Sequence, residues 1–274
     1  MTSTVTKITP ERDWWRINWR ELYQQRRLLA TLVKRDLQVR YKNTVLGVLW
    51  VVVQPALATL IFTLIFTNVF QAEVTDVNYP VYTLVGFVFW QFFAGSVSTS
   101  ATSVYEQIKM LQKIYFPRLF VPLTVVLRQL VDVSVSSLLL AIVVTANHVP
   151  WSSAGVIGYI LGVLLMTVLT AGVSMIAAST NALYRDVRHL TPFVVQIWFY
   201  ATPVFYDAGL LSGRLRFLAW CNPVTRILGL VRMAIFEQTL PLSEWLAATL
   251  VVVMMGWLGV VIFKNLETGV IDRT

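Results

Sequence analysis

Arg128 and Asp132 stand four residues apart inside an otherwise apolar stretch, a spacing that puts two side chains on one face of a helix. An unpaired arginine near a bilayer centre costs about 2.5–3.5 kcal/mol on insertion scales, so the spacing predicts an intramembrane ion pair with Asp132 as partner. Two readings of the pair stand: it faces a hydrated path and meets an anionic substrate, or it is a structural pair turned into a helix bundle. Little else offers chemistry. The chain has no G-x-x-x-x-G-K-[ST] phosphate loop, no H-E-x-x-H and no G-x-S-x-G. Gly95-Ser96 brings a hydroxyl without a histidine at a compatible depth, which favours a helix-packing site over a nucleophile. The single Cys221 has no metal-ligand spacing and is read as packing. No metal site and no catalytic residue are expected.

The elements that carry these residues follow from composition. Of 274 residues, 57% are apolar and 13% charged, against about 45–50% and about 25% in soluble domains. A soluble enzyme and a soluble binding module are both excluded. Apolar runs long enough to cross a bilayer cover Leu46–Phe70, Val81–Ser103, Leu119–Ala146, Ala154–Ala182, Thr191–Phe205 and Trp245–Phe263. The expected fold is therefore an all-α integral membrane protein with six transmembrane helices, the first kinked at Pro55. Lys and Arg crowd the segment before the first span, are missing from 71–80, return at Lys109, Lys113 and Arg118, are missing from 147–153, and return at Arg185 and Arg188. By the positive-inside rule both termini are cytoplasmic, and His148 and His189 fall at opposite membrane faces. The net charge of +8 is then a topology signal and no sign of nucleic acid. Segment 206–243 breaks the alternation, because it lies outside yet holds Arg214, Arg216, Arg226 and Arg232.

That segment reads as two short apolar stretches, 210–220 and 224–236, split by Asn222-Pro223. Such lengths predict a re-entrant outer hairpin between helices five and six, at the mouth of a pathway. Residues 1–44 form a cytoplasmic amino-terminal segment without a signal peptide. Within it Trp15, Trp19, Leu22, Leu29 and Val33 recur at helical steps, which predicts an amphipathic interface helix in the headgroup layer, a charged membrane anchor being the simpler reading. Residues 45–274 make the transmembrane domain. Ala154, Gly158 and Gly162 repeat every four residues and predict close helix approach, within one chain or between two copies. The aromatic runs 86–93 and 193–206 either line a path on which sugar rings stack or fill interfaces and helix contacts. The segments 105–117 and 183–190 are candidates to dock a cytoplasmic protein.

The run Arg35-Asp-Leu-Gln-Val-Arg-Tyr-Lys-Asn-Thr-Val-Leu-Gly-Val-Leu-Trp50, followed by Gln54-Pro55, resembles the entry motif of polysaccharide-export ABC transporter permeases. Those membrane subunits move O-antigen, capsule, teichoic acid or galactan chains. Further matches are Tyr184-Arg-Asp-Val-Arg188, Thr202-Pro203, Asn222-Pro223 and Phe263-Lys-Asn-Leu-Glu267, so the resemblance runs over nearly the whole chain. It implies an inner-membrane homodimer with two copies of a separate ATPase, which holds the ATP and Mg, while this chain carries no cofactor. It implies ATPase contacts through Trp15, Trp19, Arg27, Glu106, Ile108 and Leu111, with Tyr184, Arg185 and Asp186 as a second contact. It also implies an outer hairpin capping the channel exit and an undecaprenyl-linked glycan as cargo. A channel made of spans one, two and five of both copies would be lined by Trp50, Phe89, Trp90, Phe93, Trp198, Tyr200 and Tyr206. Arg35, Arg40 and Lys42 lie at headgroup depth, where they attract either the carrier's pyrophosphate or anionic membrane lipids. The alternatives are a gradient-driven secondary transporter or channel, which would show more intramembrane carboxylates, and an integral glycosyltransferase, which would show an acidic metal-binding cluster.

Overall fold

The computed structural model describes residues 19–42, 47–68, 78–107, 116–184 and 186–271, and every regular element among them is helical. In chain order these are α1 (Trp19–Gln24), α2 (Arg26–Tyr41), α3 (Leu49–Asn68), α4 (Tyr79–Glu106), α5 (Phe120–Ala146), α6 (Ser153–Leu183) and α7 (Val187–Ala201). A 3-10 turn (Ala208–Leu210), α8 (Gly213–Cys221), α9 (Pro223–Arg232), a π turn (Met233–Glu237) and α10 (Leu242–Ile271) complete the order. Starts are set by local chemistry. Asn78 accepts from Val81 N, Ser152 from Gly155 N and Asn222 from Val224 N, each supplying an acceptor to a helix-start donor. Pro80 and Pro223 fill first-turn positions where no backbone donor is needed.

Among the described residues five helices, α3, α4, α5, α6 and α10, are long and apolar enough to cross a membrane. The expected fifth span, Thr191–Phe205, is instead the 15-residue α7, which reaches about 22 Å against a hydrocarbon core of about 30 Å. Its end is fixed by Thr202, which takes an extended conformation ahead of Pro203. Pro55, by contrast, lies within α3.

One end of the bundle, the basic end, carries Arg27, Arg118, Arg188 and Lys264 beside Glu106, Tyr184 and Asp186; the other carries Asn78, Asn147, α8 and α9. Between them α4 is the central helix. Residues 83–90 are buried without a gap, as expected of a helix that is apolar on all sides. It packs on α3, α5, α6, α7 and α9, while α6 and α10 share the most extensive helix contact. That contact is close because glycines meet: a Cβ on Gly259 would stand 2.3 Å from the Gly172 carbonyl oxygen. The small-residue stripe on α6 serves this chain itself. A Cβ on Gly158 would stand 2.2 Å from Ala234 Cβ, and one on Gly162 would stand 2.2 Å from Val231 Cγ2, so the stripe receives α9 and the π turn.

A second apolar cluster sits at the basic end, where Leu32 of α2 packs with Val104, Phe116, Phe120, Met175 and Phe263, flanked by Leu28 and Leu29. The apolar face of α2 is thus turned on to the ends of four other helices. Replacing Gly259 by Ala drives a methyl group into fixed backbone and should destabilise the protein by about 1–3 kcal/mol, read as a lower melting temperature in detergent. Gly229→Ala, where a Cβ meets nothing within 4 Å, should leave stability unchanged or raise it by about 1 kcal/mol.

Candidate functional site

At its last turn α2 reaches the middle of α5. Arg40 Nη1 donates to Asp132 Oδ2 at 2.6 Å and also to Gln129 Oε1, while the Tyr41 hydroxyl donates to Asp132 Oδ1. Gln129 and Asp132 are three apart, so one face of α5 presents both acceptors to the arriving helix. Burial and the bond to Asp132 push the Tyr41 hydroxyl up to about 12, which keeps it a neutral donor. The ion pair therefore differs from the expected one. Asp132 pairs with Arg40 of another helix, and among the described residues Arg128 Nε is buried without a hydrogen-bond partner. Two donors arriving from α2 occupy both carboxylate oxygens, and helical spacing within α5 has no means of registering them.

Beneath this clamp lies a cavity of about 300 Å³ between α2, α3, α4 and α5. Its polar lining is Arg40, Gln54, Gln91, Gln129, Asp132 and Ser136, with Trp90 at its side. Ser136 ties the α3 start to α5 by donating to the Val51 carbonyl at 3.2 Å. Gly95 leaves room for the Gln129 amide, since a Cβ there would stand 2.3 Å from Gln129 Nε2. Gly95 is accordingly a close-packing position, as the sequence favoured. Gln91 and Gln129 were not singled out from the sequence, and Tyr41 and Gln54 entered only as parts of the entry motif. The signal was present, because Gln54, Gln91 and Gln129 are amides inside apolar runs.

At the opposite end the broken strand of chain after α7 is held by a second guanidinium. Arg232 is 6% exposed; it donates to the carbonyls of Pro203 at 2.7 Å, Val204 at 2.6 Å and Tyr82 at 3.2 Å, and lies 3.5 Å above the Tyr82 ring. Gly86 makes this possible, since a Cβ there would stand 2.2 Å from the Val204 oxygen. Asn222 Nδ2 donates to Thr202 Oγ1 at 2.9 Å, joining the α8–α9 break to the α7 break. Arg226 donates to the Trp220 carbonyl. Two of the arginines that disturbed the loop-charge alternation are therefore internal hydrogen-bond donors.

Of the expected ATPase contacts, Arg27, Glu106, Tyr184 and Asp186 are exposed. Trp19 opens α1, and Trp15, Ile108, Leu111 and Arg185 lie outside the described residues. Arg35 is bonded to Asp36 at 2.9 Å, and Lys42 is exposed at the end of α2. The aromatics divide. Trp50 and Tyr200 are exposed, Trp198 and Tyr206 half-buried, and Trp90 is buried beside the cavity. Phe89 and Phe93 are core residues of the subunit and not wall residues: Phe89 meets Tyr159 edge-on at 5.5 Å and Phe93 meets Trp198 at 5.0 Å. Both fill space between α4 and its neighbours, a role that aromatic composition does not separate from pore lining.

The helices described are those of a multi-pass membrane protein, with an open polar cavity beside the docked α2. The chain belongs to the ABC-2 type transporter family, whose model matches residues 27–236. It is 33% identical over 250 residues to the O-antigen export system permease protein RfbA of Myxococcus xanthus, covering 90% of this chain and 95% of that one. It is 28% identical to a protein of the same name from Klebsiella pneumoniae, covering 73% and 77%. The polysialic acid transport protein KpsM of Escherichia coli is 21% identical, covering 77% and 82%.

Removing Asp132 leaves Arg40 without its carboxylate, and removing Arg40 takes the guanidinium donor from Asp132 and leaves it the Tyr41 bond. Each alanine variant should lose about 1–3 kcal/mol, and the double variant should lose clearly less than the sum, since the two act as one unit. Thermal unfolding of the four proteins in one detergent measures this; additive losses would contradict the clamp.

Proposed function

We propose that this chain is the membrane subunit of an ATP-driven exporter that moves lipid-linked polysaccharide, foremost O-antigen, across the inner membrane. The observation that carries the reading is the family match over 27–236, joined to relatives named as O-antigen export permeases that align along most of their length. An ABC-2 subunit without a phosphate loop needs a separate ABC ATPase, here two copies on a homodimer of this chain, with ATP and Mg bound by the ATPase. The ATPase would dock at the basic end, against α2, the exposed Arg27 and Glu106, and the exposed Tyr184 and Asp186, with Trp15, Ile108, Leu111 and Arg185 as further contacts.

In this reading α7 and the extended residues after it form the sixth crossing. Support comes from its far end, where the Tyr79 hydroxyl donates to the Phe205 carbonyl at 2.8 Å and Tyr82 to that of Tyr206 at 3.1 Å. Those contacts carry the chain from the basic end to the start of α4. Both termini are then cytoplasmic, α2 is the interface helix, and α8–α9 form a hairpin at the exit. The exposed faces of α3 (Leu57, Leu60, Ile61) and α7 (Phe193, Ile197, Tyr200) would meet a second copy. Glycan would pass between the copies along Trp50, Trp198, Tyr200 and Tyr206. ATPase closure would displace α2, and the Arg40–Asp132 clamp would carry that displacement into α5.

The test is affinity purification of the full chain from its native membrane in mild detergent. Mass spectrometry should find an ABC ATPase in equimolar amount. Recovery of the chain alone, active with an ion gradient and no nucleotide, would favour a secondary transporter.

A further inference from the structure

The cavity under the clamp has properties that the exporter reading leaves unused. Among the described residues the Gln54 and Gln91 side chains make no hydrogen bond, yet both line the cavity. Each primary amide offers two donors and an acceptor with two lone pairs. Gln54 is exposed and Gln91 half-buried, so both amides open on to the cavity and are accessible to a polar guest. The charges decide which kind. Arg40 and Asp132 neutralise each other at 2.6 Å, and the other polar lining groups, Gln54, Gln91, Gln129 and Ser136, are neutral. A phosphate entering here would meet the Asp132 carboxylate, and its best cation is already engaged. An uncharged polyol meets no such penalty: amides bridge neighbouring hydroxyls as donor and acceptor, Asp132 accepts from them, and the Trp90 ring offers an apolar wall to the C–H face of a sugar. A volume of about 300 Å³ is at the small end of ligand pockets, which suits a single ring unit and not a polymer segment.

We propose that this cavity is a binding site for one uncharged sugar unit of the lipid-linked cargo, recognised by Gln54, Gln91, Gln129 and Asp132 with Trp90 as the stacking wall. The proposal rests on the export reading for the nature of the cargo. It assigns Arg40 a positioning role, holding Asp132 and Gln129 in place, in preference to a role in binding the carrier's pyrophosphate.

The chain's single cysteine permits a direct test. In the full chain with Cys221→Ser, Ala94→Cys places a thiol on the cavity wall, and its rate of maleimide labelling is measured in nanodiscs without nucleotide. Polyprenyl pyrophosphate bearing a neutral disaccharide should slow labelling, and polyprenyl pyrophosphate without sugar should not. Adding Gln54→Leu, at an exposed position of α3, should weaken the protection about tenfold, the loss expected for one or two hydrogen bonds. Equal protection by both lipids would assign the cavity to the pyrophosphate and overturn the proposal. Protection by neither, protection unaffected by Gln54→Leu, or a thiol that never reacts would overturn it too. Because no nucleotide or partner is needed, an exporter that fails to capture an ATPase fails separately from this site.

Discussion

A hydrocarbon setting offers backbone and side-chain polar groups no water, so each charge or broken hydrogen bond within the bundle has to be matched by the protein. Two guanidinium groups meet part of that obligation here. Arg232 takes up the carbonyls of Pro203, Val204 and Tyr82, and through them fixes where the interrupted α7 meets α4. Arg40 takes up Asp132 and Gln129, and through them fixes where α2 meets α5. Remove either group and the bundle keeps its apolar contacts but loses the features that set one helix end against another. The glycines follow the same logic: Gly86 and Gly95 are small so that Arg232 and Gln129 can approach.

The clamp and the basic-end cluster give α2 two attachments of different character. Leu32 and its neighbours hold its middle by apolar packing, which tolerates sliding, whereas Arg40 and Tyr41 hold its end by directional bonds, which do not. In the exporter proposed here, a push from an ATPase on α2 would therefore be felt at Asp132, beside the cavity. Such coupling transmits energy only if the contacts differ between two states of the subunit.

Much of the fold was legible because long apolar runs and loop charges are properties of the chain alone: α3, α4, α5, α6 and α10 fall where hydropathy puts them. The limit shows at α7: hydropathy runs the fifth span on to Phe205, and although the Thr202-Pro203 break stands out as a family feature, the sequence reading does not use it to end the helix, which backbone sterics does at Ala201. The Asn222-Pro223 split was readable for the converse reason, being a matter of local chemistry. Arg128 was recognised as needing a partner and Asp132 was assigned to it, but Asp132 pairs with Arg40 of a helix more than ninety residues away, beyond the reach of helical spacing. Phe89 and Phe93 show a third limit, because packing in the third dimension decides whether an aromatic lines a path or fills a core.

The central claim is that nucleotide hydrolysis by a partner drives a glycan through this subunit. Its most direct measurement is translocation in proteoliposomes holding the chain and its ATPase, with a lipid-linked glycan supplied on the nucleotide side and the opposite face probed by a lectin. The account predicts glycan on the far face with hydrolysable ATP and none with a non-hydrolysable analogue. Translocation driven by an ion gradient without nucleotide would contradict it.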